Sequence, residues 1–233
     1  MKRFLWICFS FMIPAVLLHA QQVCYVMRVE MTDGSVQRIA VDDVNCITFE
    51  TEEGFDPRQA VDLGLSVKWA ACNIGADTPE GLGDLFSWAE TAPKTDYSEA
   101  NYSYFVNYSY EHIGYNITGV AKYDAATAQW GEPWRMPSLH EINQLMSCSW
   151  TPETLNGVKG YRVTGKNGNS IFLPAAGYQP GKERLEVGSQ GYYWSASLNP
   201  DMRSSAYNIN FRGYDAPWSA SRAYGFSVRA VRD

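Results

Sequence analysis

The chain has 233 residues, 45% of them hydrophobic and 14% aromatic, with 19% charged and a net charge of −6. Ample apolar content with modest charge excludes a disordered chain and suits one globular domain with a small addition. An acidic chain with no basic patch gives nucleic-acid binding no support. In chain order, Met1-Lys2-Arg3 is a basic start, Phe4 to Leu18 an apolar run, and Leu18-His19-Ala20 a cleavage site ending in a small residue. Residues 1–20 are therefore expected to be a secretory signal peptide, leaving no membrane span in the mature chain and an address that is secreted, periplasmic or at the cell surface. Cys24 follows Gln21-Gln22-Val23, without the small residue that a lipid-anchored cysteine needs before it.

Residues 21–51 are expected to form a small β-rich module. "VCYVMRVEM" alternates polar and apolar side chains, and Asp33-Gly34 favours a tight hairpin turn before "VQRIAVDD" and "NCITFE". Symmetric pairing about that turn sets Cys24 opposite Asp43, close to Cys46, so a Cys24–Cys46 bridge is expected. Residues 52–59, charged and containing Gly and Pro, are expected to be a linker.

The main domain is expected over 60–233. Leu63, Leu65, Val67 and Trp69 recur at every second position, the pattern of a strand with one buried face. At the far end Phe226, Val228 and Ala230 share one face, with Arg229 on the other, and pairing of these two terminal strands would close the domain. Asp124 precedes a short predicted helix, "AATAQW". Ser138 and Glu141 have capping-box spacing at the start of "LHEINQLMSC", where Leu139, Ile142, Leu145 and Met146 share a face. Pro137 keeps that helix from running back through Trp134-Arg135. The Tyr-, Asn- and Ser-rich stretch 93–120 is expected to be loop. "GVKGYRVTGKNGNSIFLPAAGY" predicts two strands about a Lys-Asn-Gly turn. "GYYWSAS", "SSAYNINF" and the final strand complete a β-rich second half.

In order, spacing and identity, "VDLGLSVKWAACNIGADTPEGLGDLFSWAET", "WGEPWRMPSLHEINQLMSCSW", "GVKGYRVTGKNGNSIFLPAAGY", "GYYWSAS" and "GFSVRAVR" resemble the Fibrobacter succinogenes major paralogous domain family, over about residues 60–232. That family comprises secreted and surface proteins abundant in Bacteroidota. The resemblance implies an α+β, C-type lectin-like domain with two helices and twisted antiparallel strands, here preceded by a small β-hairpin module. One departure is Trp88-Ala89-Glu90, where Trp-Gly-Glu is more usual. In this setting Trp134 is expected to be a core anchor and Arg135 to reach a carboxylate or backbone carbonyls.

Candidate chemistry is sparse. His112 and His140 lack paired spacing, so no zinc site is expected. Glu132-Pro133 is followed by Trp134, Gln179-Pro180 by Gly181, and no Trp-Asn-Asp occurs, so the sugar-coordinating calcium loop of C-type lectins is not expected. "GYQPGK" fails as a phosphate loop at Ala176 and at Glu183. No metal, cofactor or catalytic residue is expected. Cys72 and Cys148, the two cysteines of the main domain, are expected to be bridged. The remaining candidate is a surface. Residues 195–224 carry Ser, Asn, Tyr, Arg, Asp and Trp between two predicted core strands, with Tyr214, Trp218 and Arg222 as the expected ligand contacts. The sequence thus suggests a non-enzymatic binding module for a protein or glycan. Two alternatives stay open: a structural or assembly domain of a surface appendage, and an enzyme with an unrecognised carboxylate site.

Overall fold

Strands β1 (Val26–Glu30) and β2 (Val36–Ala40) pair antiparallel, Val26 opposite Ala40 and Glu30 opposite Val36. Symmetric pairing about Asp33-Gly34 would have set Val26 opposite Val41, so the register differs by one residue, a shift that exchanges the two faces of a strand. This is a computed structural model, and it describes residues 26–30, 35–41, 55–211 and 218–233. The expected signal peptide, Cys24 and Cys46 lie outside the described residues. The chain divides into two compact units, 1–52 and 53–233. Among the described residues no helix is long and apolar enough to cross a membrane.

The second unit is α+β, built from small antiparallel sheets and two helices. Its elements are β3 (Ala60–Asp62), β4 (Lys68–Ala70), β5 (Phe105–Val106), β6 (Ser109–Tyr110), α1 (Ala125–Trp130), α2 (Leu139–Met146), β7 (Ser149–Leu155), β8 (Val158–Thr164), β9 (Ser170–Pro174), β10 (Tyr192–Leu198), β11 (Ser205–Asn210), β12 (Trp218–Ser221) and β13 (Val231–Arg232). The terminal strands meet as expected, Val231 opposite Trp69, in the sheet β13-β4-β3. Residues 55–59, expected as linker, belong to this unit: Gln59 O accepts from Ala71 N and Pro57 O from Cys72 N.

The alternation at 63–69 marks burial correctly but does not make one strand. Leu63, Val67 and Trp69 are buried, yet the chain turns between β3 and β4. Gly64 takes a left-handed φ of 72° and donates to Asp62 Oδ1 at 2.7 Å, while the Asn167 and Asn169 amides both hold Asp62 O at 2.9 Å. Side chains from the β8–β9 turn therefore stabilise a bend that periodicity alone does not show. The strands around Lys166-Asn167-Gly168 are present as β8 and β9, joined at their outer side by β7, which was not foreseen. β7 contains Pro152, tolerated because an edge strand need not donate on its open side.

Both helices start where their caps predict. Asp124 accepts from Thr127 N, and Ser138 and Glu141 form the complete capping box. The corner between the helices is braced from three sides. Thr127 Oγ1 donates to Trp134 O at 2.9 Å. Arg135 pairs its backbone with Val231 and forks onto Glu141 at 2.9 and 2.8 Å, with Asp233 at 2.9 Å. Burial pushes the Glu141 carboxyl up, but the Arg135 guanidinium and the Ser138 N–H outweigh it and hold it below its usual range. Trp134 is buried, edge-on to Trp130 at 5.5 Å. The stiff Trp-Arg-Met-Pro corner thus serves shape.

Asp124, fully buried, also accepts from Gly119 N at 2.8 Å and from Met136 N at 3.0 and 2.9 Å. Asp124→Ala would remove the helix cap, leave the buried Met136 N–H unpaired and free the exposed Gly119 N–H to water. We expect a loss of about 2–3 kcal/mol, read as a lower urea midpoint at unchanged slope.

Among the described residues two large core clusters fill the unit, beside a small one at Ala71, Cys72 and Ala76. One gathers Phe86, Trp88, Trp134, Trp194 and Phe226; the other gathers Trp69, Ile142, Leu145, Val163, Tyr193 and Ile209. Trp194 stacks on Phe226 with centroids 4.2 Å apart, and its indole N–H donates to Phe86 O. Phe226, Val228 and Ala230, expected on one face, are buried, and so is Arg229, expected on the opposite face, at 1% exposed. Ala89 is buried with a left-handed φ of 67°, a conformation that costs a non-glycine residue roughly 1–2 kcal/mol. Gly, the more usual residue beside the Trp in the resembled motif, would sit there without that strain.

Candidate binding face

The three residues expected as contacts separate. Tyr214 lies outside the described residues. Trp218 opens β12, the outer strand of the sheet β10-β11-β12, and is 51% exposed. Arg222 is not a surface residue: it is 0% exposed. Its Nε donates to the Tyr102 hydroxyl at 2.9 Å, and its Nη1 donates to Glu111 O at 2.9 Å and Arg203 O at 3.1 Å. The guanidinium carbon sits 5.0 Å from the Trp88 ring, 5.3 Å from Tyr102 and 5.5 Å from Tyr110. A cation enclosed by three rings and three acceptors is a brace, since rings and carbonyls replace the water it has lost.

What Arg222 braces is the frame of a face. Segments 102, 111 and 203 converge on it from distant parts of the chain. Next to these segments in the chain stand the exposed apolar side chains Tyr108 (95%), Tyr115 (55%) and Met202 (53%), and the exposed Trp218 opens β12. Adjacent segments are linked directly. Leu198 N donates to Tyr115 O at 2.9 Å. Asn199 Nδ2 donates to Ser219 Oγ at 3.1 Å, and the Tyr110 and Ser221 hydroxyls lie 3.4 Å apart. Met202 Sδ accepts from Ser205 Oγ at 3.2 Å. Tyr110 also hydrogen-bonds Glu99.

Tyr108 stands at the tip of the β5–β6 hairpin, inside the stretch expected as loop. Asn107 and Tyr108 both have positive φ, 50° and 58°, the two-residue turn whose twist suits a hairpin. The available signal was Asn107, a residue that tolerates that geometry, between the aromatic pairs Tyr104-Phe105 and Tyr108/Tyr110.

The expected Cys72–Cys148 bridge is absent: both thiols are free. Cys72 is buried against Ala71 and Ala76, whereas Cys148 follows α2 and packs on the cluster around Trp69, its Sγ 3.9 Å from Gln144 O. Burial pushes the Cys72 thiol up to about 11 and raises Cys148, which keeps both protonated and weakly nucleophilic at neutral pH. The buried carboxylates Asp124 and Glu141 are engaged with backbone N–H groups and Arg135 respectively. Among the described residues no group of His, Cys, Asp or Glu is arranged to hold a metal. The face offers aromatic surface and amide and hydroxyl groups, the chemistry of contact. No family model, curated protein or solved structure matches the chain.

Proposed function

We propose that the chain is an exported, non-enzymatic binding module of C-type lectin-like fold. It takes a protein or glycan on the aromatic face and does so without the lectin calcium loop. The observation that carries this reading is the half-exposed Trp218, grouped with Tyr108, Tyr115 and Met202 on segments tied to one another. Large aromatics on a pre-ordered frame give contact energy at little ordering cost. Export rests on the basic, apolar and small-residue order of the first twenty positions. The fold assignment rests on the motif resemblance over 60–232, together with the two capped helices and the pairing of the terminal strands.

The test is a screen of the purified chain against arrayed glycans and surface proteins, followed by Tyr108→Ala and Trp218→Ala in one chain. Both side chains are exposed, so folding should be retained. We expect affinity for the captured ligand to fall about tenfold or more. Unchanged affinity in the folded double variant would remove this face and favour the assembly reading, for which the open outer edge of β12 is the feature to examine.

A further inference from the structure

A second candidate site lies beside α1 and shares no exposed side chain with the aromatic face. One cleft is lined by the end of this helix, and another by Lys122 just before it. One, of about 390 Å³, lies between residues 56–58, the turn 75–77 and Gln129-Trp130. The other, of about 330 Å³, lies between residues 89–94, residues 101–104 and Lys122. Each falls in the range of about 300–1,000 Å³ usual for small-ligand sites. They meet at one hydrogen bond, from Gln129 Nε2 in the first wall to Thr91 O in the second, at 2.7 Å. Lys122, before α1, lines the second cleft, and Gln129 and Trp130, at its end, line the first.

We infer that these clefts form one groove that binds a short, neutral oligosaccharide, with a subsite at either end of α1. Each end holds a half-buried aromatic ring fixed by other rings. Trp130 is edge-on to Trp134 at 5.5 Å, and Tyr104 lies between Tyr102 and Tyr123 at 5.7 and 5.8 Å. A sugar ring presents an apolar C–H face to such a ring and hydroxyls around its rim. The groove supplies both kinds of partner for those hydroxyls: the carboxylate of Asp77 and the amide oxygen of Gln129 accept, and Arg58 and Lys122 donate. Gln129 already spends its amide N–H on Thr91, which fixes the orientation of its oxygen.

Other ligand classes fit less well. Asp56, Asp77 and Glu90 offset Arg58, Lys94 and Lys122, so the groove has no net charge to hold a polyanion, and the charged and amide lining disfavours a lipid. An extended peptide needs free backbone groups along a wall, but here Trp88 N, Glu90 N and Thr91 O are already paired, with Arg222 O, Ser87 O and Gln129.

The groove shares none of the exposed contacts of the aromatic face, so the two readings can fail separately. The experiment titrates the purified chain with short oligomers of glucose, mannose, xylose, galactose and N-acetylglucosamine, following tryptophan fluorescence and heat. We expect at least one series to bind. We expect Asp77→Asn with Gln129→Ala, two exposed positions, to weaken it about tenfold or more, Trp130→Ala to abolish the fluorescence change, and Trp218→Ala to leave affinity unaltered. Absence of binding by every series overturns the inference. So does binding that survives the Asp77→Asn, Gln129→Ala chain, or binding lost only in Trp218→Ala, which would belong to the aromatic face.

Discussion

Replacing Arg229 with Ala is expected to lower the unfolding free energy by about 3–5 kcal/mol, the scale for removing one partner from a buried charged network. The side chain is 1% exposed and has no carboxylate beside it among the described residues. Four acceptors enclose it instead: Asn73 Oδ1 at 2.9 Å from Nε, Ala70 O and Ala71 O at 3.0 and 2.6 Å from Nη1, and Phe172 O at 2.8 Å from Nη2. It therefore fastens the end of β4, the following turn and β9 to the C-terminal segment. Burial pulls the guanidinium pKa down, opposed by the nearby Tyr193 hydroxyl. Three of the partners are main-chain carbonyls, so an apolar replacement cannot remove them and leaves them buried without a donor. Arg229→Met should for that reason be nearly as damaging as Arg229→Ala, unlike the swap of a whole ion pair for apolar residues. Arg229→Lys should recover only part, because one ammonium cannot span the fork. Urea unfolding of the three variants checks the order, and an Arg229→Met chain as stable as the parent would show that these acceptors do not need the guanidinium.

Arg229 also shows where the sequence stops being legible. Alternation along 226–230 puts Phe226, Val228 and Ala230 on one face and Arg229 on the other. Phe226, Val228 and Ala230 do line the cluster around Trp88 and Trp194, but Arg229 points to backbone carbonyls of β9 and the turn after β4. Period-two burial describes a strand in a sheet open on one side, and this segment has protein on both sides. The helix starts were legible for the opposite reason. Asp124, Ser138 and Glu141 satisfy N–H groups within three residues of themselves, so their signal is local. The β5–β6 hairpin was missed because its strands are two residues long, too short for periodicity. β7 was missed because Pro152, Glu153 and two threonines hide a strand that only its pairing with β8 reveals.

The candidate face was half legible. Trp218 stands out by residue type, and it is exposed on an edge strand. Tyr108, Tyr115 and Met202 come from segments separated by up to about a hundred positions, and nothing in their local sequence points to a shared surface. Arg222 misleads for a chemical reason. Arg is enriched both at binding surfaces and wherever a planar, multi-donor group must join several carbonyls, and sequence alone does not separate the two.

Mutation of Arg222 does separate them. Arg222→Ala should destabilise the chain by about 2–4 kcal/mol, somewhat less than Arg229→Ala. Two of its acceptors, Glu111 O and Arg203 O, belong to exposed residues that water can reach once the guanidinium is gone. The larger part of the cost is the cavity between Trp88, Tyr102 and Tyr110, whose rings lie 5.0–5.5 Å from the guanidinium carbon. Nη2 has no hydrogen-bond acceptor among the described residues, so the rings carry that part of the charge's stabilisation and a Lys would not restore the packing. For a domain of this size each kcal/mol moves Tm by roughly 2–4 °C, so a fall on the order of 5–15 °C is expected. Trp218→Ala, at an exposed position, should shift Tm far less while weakening ligand binding. A chain carrying Arg222→Ala that melts with the parent yet no longer binds would return Arg222 to the ligand contacts. The expected pattern, low Tm with binding retained below the transition, makes Arg222 the brace of the face.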